Sequence, residues 1–443
     1  MLALLGLGVE AVRPVGWSLD VALLLAGVVD CLRTPSPRRL GVARRLPDRV
    51  GLTQDLERVV EVEPGLAEGL RLEVREAFPA EFQVTARTHA GEVGAAPEPG
   101  DPTGGPDSVR LGATDRRDGT TRLVRTYRGY RRGRHELGDL RLRLTGPLGL
   151  VQRQARLFGS QAVDVEPALL NLDSILKLAA SERWQDLGVR RLRRRGGLTE
   201  FESLRDYVQG DDPRLVDWKA FARKGRPIVR EYQEERGQEL ILLVDAGRRM
   251  GATTTLDARR GWTKLDHALD AALELAAVAL QAGDRVGIAV FDRRLRVYVP
   301  PARGGRQFAK LREAVSAEPV SSLETDLART LREVSVLHRR RATLVILSDV
   351  ADPLTVPLQA SALASGSRRH KLILATLDDP SLREVADGRL AARAAERAAA
   401  FALEEERRVA LATLRRRGAR VLDALPADSA GVLLTAWLEA RRG

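Results

Sequence analysis

The chain has 443 residues, a net charge of +12 and an isoelectric point near 10.5, with 44% hydrophobic and 30% charged residues. That length supports two or three domains with buried cores, and the composition excludes a disordered, collagen-like or polytopic membrane protein. The single cysteine, Cys31, has no internal partner, which excludes a disulfide-stapled scaffold and suits a reducing compartment for the main body. Six of the 72 basic residues are lysine and 66 are arginine, a bias that a GC-rich coding sequence produces. Aromatic residues are only 4%, so platforms for stacking bases are scarce and nucleic acid is not the expected partner.

Residues 2–9 (LALLGLGV) are uniformly apolar, Arg13-Pro14 interrupts them, and Trp17–Leu32 carries VALLLAGVV between Asp20 and Asp30. A spanning helix needs about 20 apolar residues, and Asp20 is costly at membrane depth. A signal peptide fits poorly, because no basic region precedes the first run and no small-residue cleavage site follows it. Residues 1–35 therefore read as an apolar helical hairpin, either a buried helix pair or, as preferred here, a short membrane anchor through residues 1–32. Arg33, Arg38, Arg39, Arg44 and Arg45 would hold the following chain on the cytoplasmic side. The expectation is a membrane-associated protein with its main body in the cytoplasm.

Short alternating runs fill residues 44–166: VVEVE (59–63), LRLEVREAF (70–78), EFQVTART (81–88), TRLVRTYRGY (121–130) and LRLRLT (140–145). Turn residues separate them, as in a β-sandwich. The Gly/Pro-rich stretch 91–119 has no period and reads as a disordered, exposed loop. Residues 171–235 form a connector that resists classification: Leu172–Leu187 suits a helix, and the arginine run RRLRRRGG (190–197) follows.

From Gln238 the pattern changes. ELILLVD (239–245), VGIAVFD (286–292), LRVYVP (295–300), TLVILSD (343–349), KLILATL (371–377) and ARVLDA (419–424) read as strands. Helical periodicity covers 265–282, 307–317, 323–337, 391–417 and 430–441. Alternation of this kind predicts an α/β doubly wound, Rossmann-like sheet over 238–443 with right-handed crossovers. Ligands of such sheets sit outside the carboxyl ends of the strands, where Asp245, Asp292 and Asp349 fall.

The block RDYVQGDDPRLVDWKAFARKGRPIVREY (205–232), followed by ELILLVDAGRRM (239–250), resembles the signature of the domain-of-unknown-function 58 family. YRRGRHELGDLRLRLTGPLGLVQRQ (130–154), VGIAVFD, VYVPPARGG (297–305), SLETDLARTLREV (322–334) and RRRATLVILSDV (339–350) extend the resemblance in the same order over nearly the whole chain. The resemblance implies a β-rich domain joined to a von Willebrand factor type A-like α/β domain, commonly with an N-terminal membrane hairpin. It also implies a partner class, since family members are often associated with MoxR-type AAA+ ATPases as adaptors or assembly factors. The family signature comprises Arg205, Tyr207, Gly210, Asp211, Asp212, Arg214, Asp217, Trp218, Lys219 and Arg223. Here Gly210 and Pro213 punctuate a turn, Arg214, Lys219 and Arg223 would neutralise the acidic pair, and Trp218 would pack the segment onto a domain.

Type A domains hold Mg²⁺ through Asp-x-Ser-x-Ser, a later Thr and a later Asp, all hard oxygen ligands. The matching residues are Asp245, Gly247, Arg248, Arg249, Thr325 and Asp349, with both serine positions lost to Gly247 and Arg249. At most a weak Mg²⁺ site at Asp245, Thr325 and Asp349 is expected. A metal-free site is preferred, with Arg248 or Arg249 paired to Asp245 or Asp349, while simple helix capping by the two aspartates is the plain alternative. The five histidines lack zinc spacing, and neither a Walker A pattern nor a GxSxG elbow occurs. The reading is a non-catalytic interaction protein without a cofactor, whose degenerate metal-ion-dependent adhesion site binds a protein partner. The alternatives are a metal-dependent hydrolase using Asp245, Asp349 and Asp211, or a nucleic-acid or anionic-lipid binder through the arginine surface.

Overall fold

Alternating leucines and arginines decide the first sheets. The computed structural model describes residues 13–62, 70–76, 78–89, 92–94, 107–110, 121–170, 172–180, 200–207, 216–233, 238–253, 261–349, 355–390 and 392–442, and divides into two units, Met1–Ala168 and Leu169–Gly443. In the first, helix α1 (Arg13–Arg33) precedes β1 (Val42–Arg45), β2 (Arg49–Gly51), β3 (Asp55–Val62), β4 (Arg71–Arg75), β5 (Phe82–His89), β6 (Glu92–Gly94) and β7 (Asp107–Arg110). Then come β8 (Thr121–Gly129), β9 (Gly133–Leu137), β10 (Leu140–Thr145), β11 (Gln152–Phe158) and β12 (Gln161–Glu166). They form sheets of order β1-β3-β8-β5-β6, β11-β10-β4-β7 and β2-β12-β9. Along β10 the buried residues are Leu140, Leu142 and Leu144, and the arginines between them face outward. Those leucines, with Leu72 and Val74 of β4, pack against Val60 and Val62 of β3 and Leu123 of β8, so the first two sheets share one apolar layer.

One expectation changes here. The stretch 91–119 contributes β6 and β7, which pair antiparallel with β5 and β4 rather than forming one disordered loop. Edge strands of three or four residues need only backbone partners, so they carry no period to read. The rest of that stretch lies outside the described residues. The apolar run 2–9 also lies outside them. The second apolar run is one helix with Pro14 in its first turn, where a missing N–H costs nothing. No helix among the described residues is long and apolar enough to cross a membrane.

The second unit opens with α2 (Leu172–Ala180) and an antiparallel hairpin, β13 (Glu200–Asp206) and β14 (Ile228–Gln233), with the short helix α3 (Trp218–Lys224) between its strands. There follow β15 (Glu239–Asp245), α4 (Lys264–Gln281), β16 (Arg285–Phe291), β17 (Leu295–Ala302), α5 (Gly305–Ser316), α6 (Leu327–Leu337) and β18 (Thr343–Leu347). The chain ends with α7 (Val356–Ser367), β19 (Lys371–Leu377), α8 (Pro380–Ala386), α9 (Ala394–Arg416), β20 (Val421–Ala424) and α10 (Ser429–Arg442).

The six strands run in the order β17-β16-β15-β18-β19-β20. All neighbours are parallel except β16 and β17. Counted from β15 this is the doubly wound order 3-2-1-4-5-6. The molecule is thus mixed α/β with a parallel-rich sheet, and β15 is buried on both faces. Leu240, Leu242 and Val244 meet α4, α5 and α10, while Ile241 and Leu243 meet α6, α7 and α9. The strand order reverses between β15 and β18, where the crossovers leave on opposite faces and a crevice opens at the carboxyl ends.

Candidate functional site

Asp245 ends β15 at this crevice and is 2% exposed. Its Oδ1 accepts the Gly247 N–H at 2.7 Å and the Thr325 hydroxyl at 2.8 Å, and its Oδ2 accepts Thr325 at 2.9 Å and the Ser348 hydroxyl at 2.5 Å. Burial pushes its carboxyl up to about 6 against the pull of these donors, with the nearby Asp349 charge adding to the rise. Thr325 reaches the site because α6 starts later than the periodicity predicts. Asp326 caps that helix by accepting the Arg329 N–H at 2.9 Å, which leaves 323–326 as loop.

Asp349 lies just beyond β18. Its Oδ2 accepts Lys264 Nζ at 2.7 Å and its Oδ1 accepts Arg407 Nη1 at 3.1 Å. The expected pairing of Arg248 or Arg249 with the two aspartates is therefore corrected. Arg248 pairs with Glu324, both exposed, and Arg249 is half-buried. The aspartates do not cap α-helices either. The short 3₁₀ turn Arg248–Gly251 after β15 has Gly247 as its cap residue. Lys264 and Arg407 win Asp349 because both are nine-tenths buried beside it, whereas Arg248 keeps a hydrated position outside. Arg407 also bonds the Thr376 hydroxyl at 3.1 Å and the Asp423 carboxylate, and lies 3.8 Å from Asp378. One guanidinium thus serves carboxylates from the ends of β18, β19 and β20.

Ser348, Lys264 and Arg407 are not among the residues that sequence reasoning selects. Ser348 carries a signal, since it directly precedes Asp349 at a strand end. Lys264 follows Thr263, whose capping box with Asp266 starts α4 at the crevice.

These residues do not fit a divalent cation. The Asp245 oxygens already hold three donors, and an ammonium already neutralises Asp349. Among the described residues, no group of three His, Cys, Asp or Glu side chains is disposed to hold a metal. A Cβ on Gly247 would stand 2.3 Å from Thr325 Oγ1 and 3.0 Å from Asp245 Oδ1, so no serine enters without displacing the threonine. Calorimetric titration with Mg²⁺ is expected to show no site tighter than millimolar, a binding free energy of about −4 kcal/mol. Gly247→Ser should create none, and should instead lower stability by about 1–3 kcal/mol in urea unfolding. A stoichiometric micromolar site lost in Asp245→Ala would refute this.

The family signature divides. Gly210, Asp211, Asp212 and Arg214 lie outside the described residues, as does the arginine run 190–197. Arg205 is in β13, and Tyr207 follows it, donating its N–H to the Pro227 carbonyl at 3.0 Å. Asp217 caps α3, accepting the Lys219 and Ala220 N–H groups at 2.9 and 3.0 Å. Lys219 and Arg223 are exposed. Trp218 does not pack inward as expected: it is 67% exposed and stands edge-on to Phe221, because the seven-residue helix buries neither aromatic ring.

Residues 203–420 match the family described as a protein of unknown function, DUF58, in agreement with the resemblance read from 205–232. Uncharacterized proteins of Mycobacterium bovis and Mycobacterium tuberculosis are each 30% identical to the chain over 184 residues, 41% of this chain and 55% of theirs. The chain thus spans about half the length of the curated relatives it matches. Among solved structures, the conserved hypothetical protein BatB from Bacteroides thetaiotaomicron is similar at a TM-score of 0.30 and 13% identity, covering 46% of this chain and all of that one. An uncharacterized membrane spanning protein from Vibrio fischeri is similar at a TM-score of 0.17 and 16% identity, covering 46% of this chain and 98% of that one.

Proposed function

We propose that the chain is a non-catalytic interaction protein, membrane-associated with its main body in the cytoplasm. Its second unit is a von Willebrand factor type A-like domain that acts with a MoxR-type AAA+ ATPase as adaptor or assembly factor. The observation that carries this reading is that the crevice aspartates are held by the protein's own donors. Asp245 is taken by Gly247, Thr325 and Ser348, and Asp349 by Lys264 and Arg407. Carboxylates so occupied serve as a scaffold for the loops around them rather than as a base or a metal cradle. The loops they hold present Arg248, Glu324 and Leu323 outward with Arg249 half-buried beside them.

The strand order with an antiparallel edge strand supports the type A reading, and the family resemblance supports the ATPase as partner class. A half-buried arginine offers a partner carboxylate a bidentate, delocalised cation. Losing such a contact costs about 2–5 kcal/mol at an interface, at least a tenfold loss of affinity. Rim arginines mainly tune on-rate and salt dependence.

The test immobilises the full chain and measures binding of a purified MoxR-type ATPase, with and without ATP. Arg249→Ala should weaken binding at least tenfold. The Arg193→Ala/Arg194→Ala/Arg195→Ala variant should retain affinity at physiological salt, with both variants folded by circular dichroism. Loss of the partner in the triple variant and not in Arg249→Ala would show the face to be wrong.

A further inference from the structure

The amino ends of the parallel strands meet at the pole opposite the crevice, and cations crowd there. Register sets Glu239, the first residue of β15, level with Arg285, the first of β16. It sets Thr343, the first of β18, level with Lys371, the first of β19. The loop entering β18 adds Arg340 and Arg341. These six residues line a cavity of about 300 Å³, at the small end of the range for ligand sites. Four cations and one carboxylate thus share one cavity.

Their pairing is incomplete. Glu239 meets His338 Nε2 at 2.8 Å, Arg285 Nε at 3.4 Å and Arg340 Nη1 at 3.9 Å. None of these contacts is an aligned hydrogen bond: Glu239 Oε2, Arg285 Nε and His338 Nε2 are all buried without a hydrogen-bond partner. Buried polar groups are normally paired, so unpaired ones beside a cavity mark a place for a bonding partner. Lys371 Nζ donates to the Ala440 carbonyl at 2.8 Å, which uses one of its three donors and leaves its charge unbalanced. Arg341 is exposed and has no ion pair among the described residues. Repulsion among like charges held this close is relieved by a multiply charged anion.

We infer that this cavity binds a phosphate group, either the free ion or a small phosphate monoester. Arg285, Arg340 and Arg341 offer planar forks that match phosphate oxygens, Lys371 adds a point charge, and Thr343, 4% exposed, offers a hydroxyl. Glu239 supplies discrimination. Phosphate keeps a proton near neutral pH and donates it to the carboxylate, whereas sulfate has none and meets only repulsion there. The site lies at the other end of the sheet from the crevice, so it is independent of the partner reading above.

The experiment titrates the full chain calorimetrically with inorganic phosphate, with glycerol 3-phosphate and with sulfate, at constant ionic strength set by chloride. Phosphate, free or esterified, should bind at one saturable site of about millimolar affinity or tighter, with sulfate severalfold weaker. The tighter of the two phosphate forms identifies the source. Arg340→Ala/Arg341→Ala, which alters two exposed side chains, should weaken phosphate binding about tenfold or more. Arg415→Ala/Arg416→Ala removes the same charge from the exposed end of α9 and should leave binding unchanged. Glu239→Gln, folded by circular dichroism, should strengthen sulfate binding until the two anions bind alike. Absence of a saturable site for either phosphate form, or equal weakening in both double-arginine variants, would overturn the inference. Sulfate bound as tightly as phosphate by the parent chain would overturn the role given to Glu239.

Discussion

Arg407→Ala is expected to destabilise the second unit by about 3–5 kcal/mol, the typical loss when one partner of a buried ion pair is removed. Arg407 is 6% exposed and touches Asp349 and Asp423, with Asp378 3.8 Å away. Without it Asp349 retains Lys264 and Asp378 retains Arg383, but Asp423 loses the cation bonded to it. In thermal unfolding this corresponds to a fall in Tm of about 10 °C for a unit of this size. Arg407→Lys should recover only part of the loss, because one ammonium on a flexible stem cannot span carboxylates from three strand ends. Adding Asp423→Asn to Arg407→Ala should restore part of the stability, since it removes a charge the arginine had balanced. A loss under about 1 kcal/mol in Arg407→Ala would mean that water enters and the cluster contributes little.

Asp245→Asn is expected to change how stability depends on pH. The folded carboxyl sits at about 6 and the ordinary value is 3.8, so the folded state holds a proton there that the unfolded chain has released. The sign follows from linkage: stability from this group is fully present below pH 3.8 and is lost as pH rises through about 6. About two pH decades at about 1.4 kcal/mol each give about 3 kcal/mol. The amide that replaces the carboxyl does not ionise, so the variant should gain on the parent by about this amount between about pH 4 and pH 7 in urea unfolding followed by circular dichroism. Asp284, also raised to about 6 by burial, titrates in both proteins and cancels in the comparison. A stability difference that stays flat across that range would show that Asp245 is ionised throughout.

The strands around the crevice are legible in the sequence because their runs are almost wholly apolar, as in a parallel strand buried on both faces, with an aspartate at the carboxyl end. The same pattern sets Asp245 and Asp349 at one edge, the family resemblance adds Thr325, and the structure brings the three together. Their partners are not legible. Arg407 is one of 66 arginines and lies in a helix of alanine, glutamate and arginine, where periodicity marks a face but not a buried charge. Lys264 reads as an ordinary first-turn residue until the strand order sets α4 against the end of β18. Trp218 misleads in the opposite direction, since a large aromatic ring in a signature block suggests burial and a seven-residue helix provides none. Strands β6 and β7 escape because backbone pairing at an edge leaves almost no trace in side-chain pattern.

The position of Arg407 late in the chain bears on biosynthesis. By residue 378 the ribosome has delivered five of the six strands and nearly all of the apolar residues they bury. At that stage Asp349 and Asp378 stand at the sheet's edge without the guanidinium that later lies between them, and β20 is still to come. A nascent chain can pack its leucines, and Lys264 and Arg383 can meet Asp349 and Asp378, yet no group joins these carboxylates to Asp423 until α9 and β20 emerge. Closure of the crevice is therefore among the last steps of synthesis. Chains arrested or trimmed before residue 407 would lack the guanidinium that joins the strand ends and would carry an open sheet edge, a form that quality-control proteases can distinguish from the finished protein.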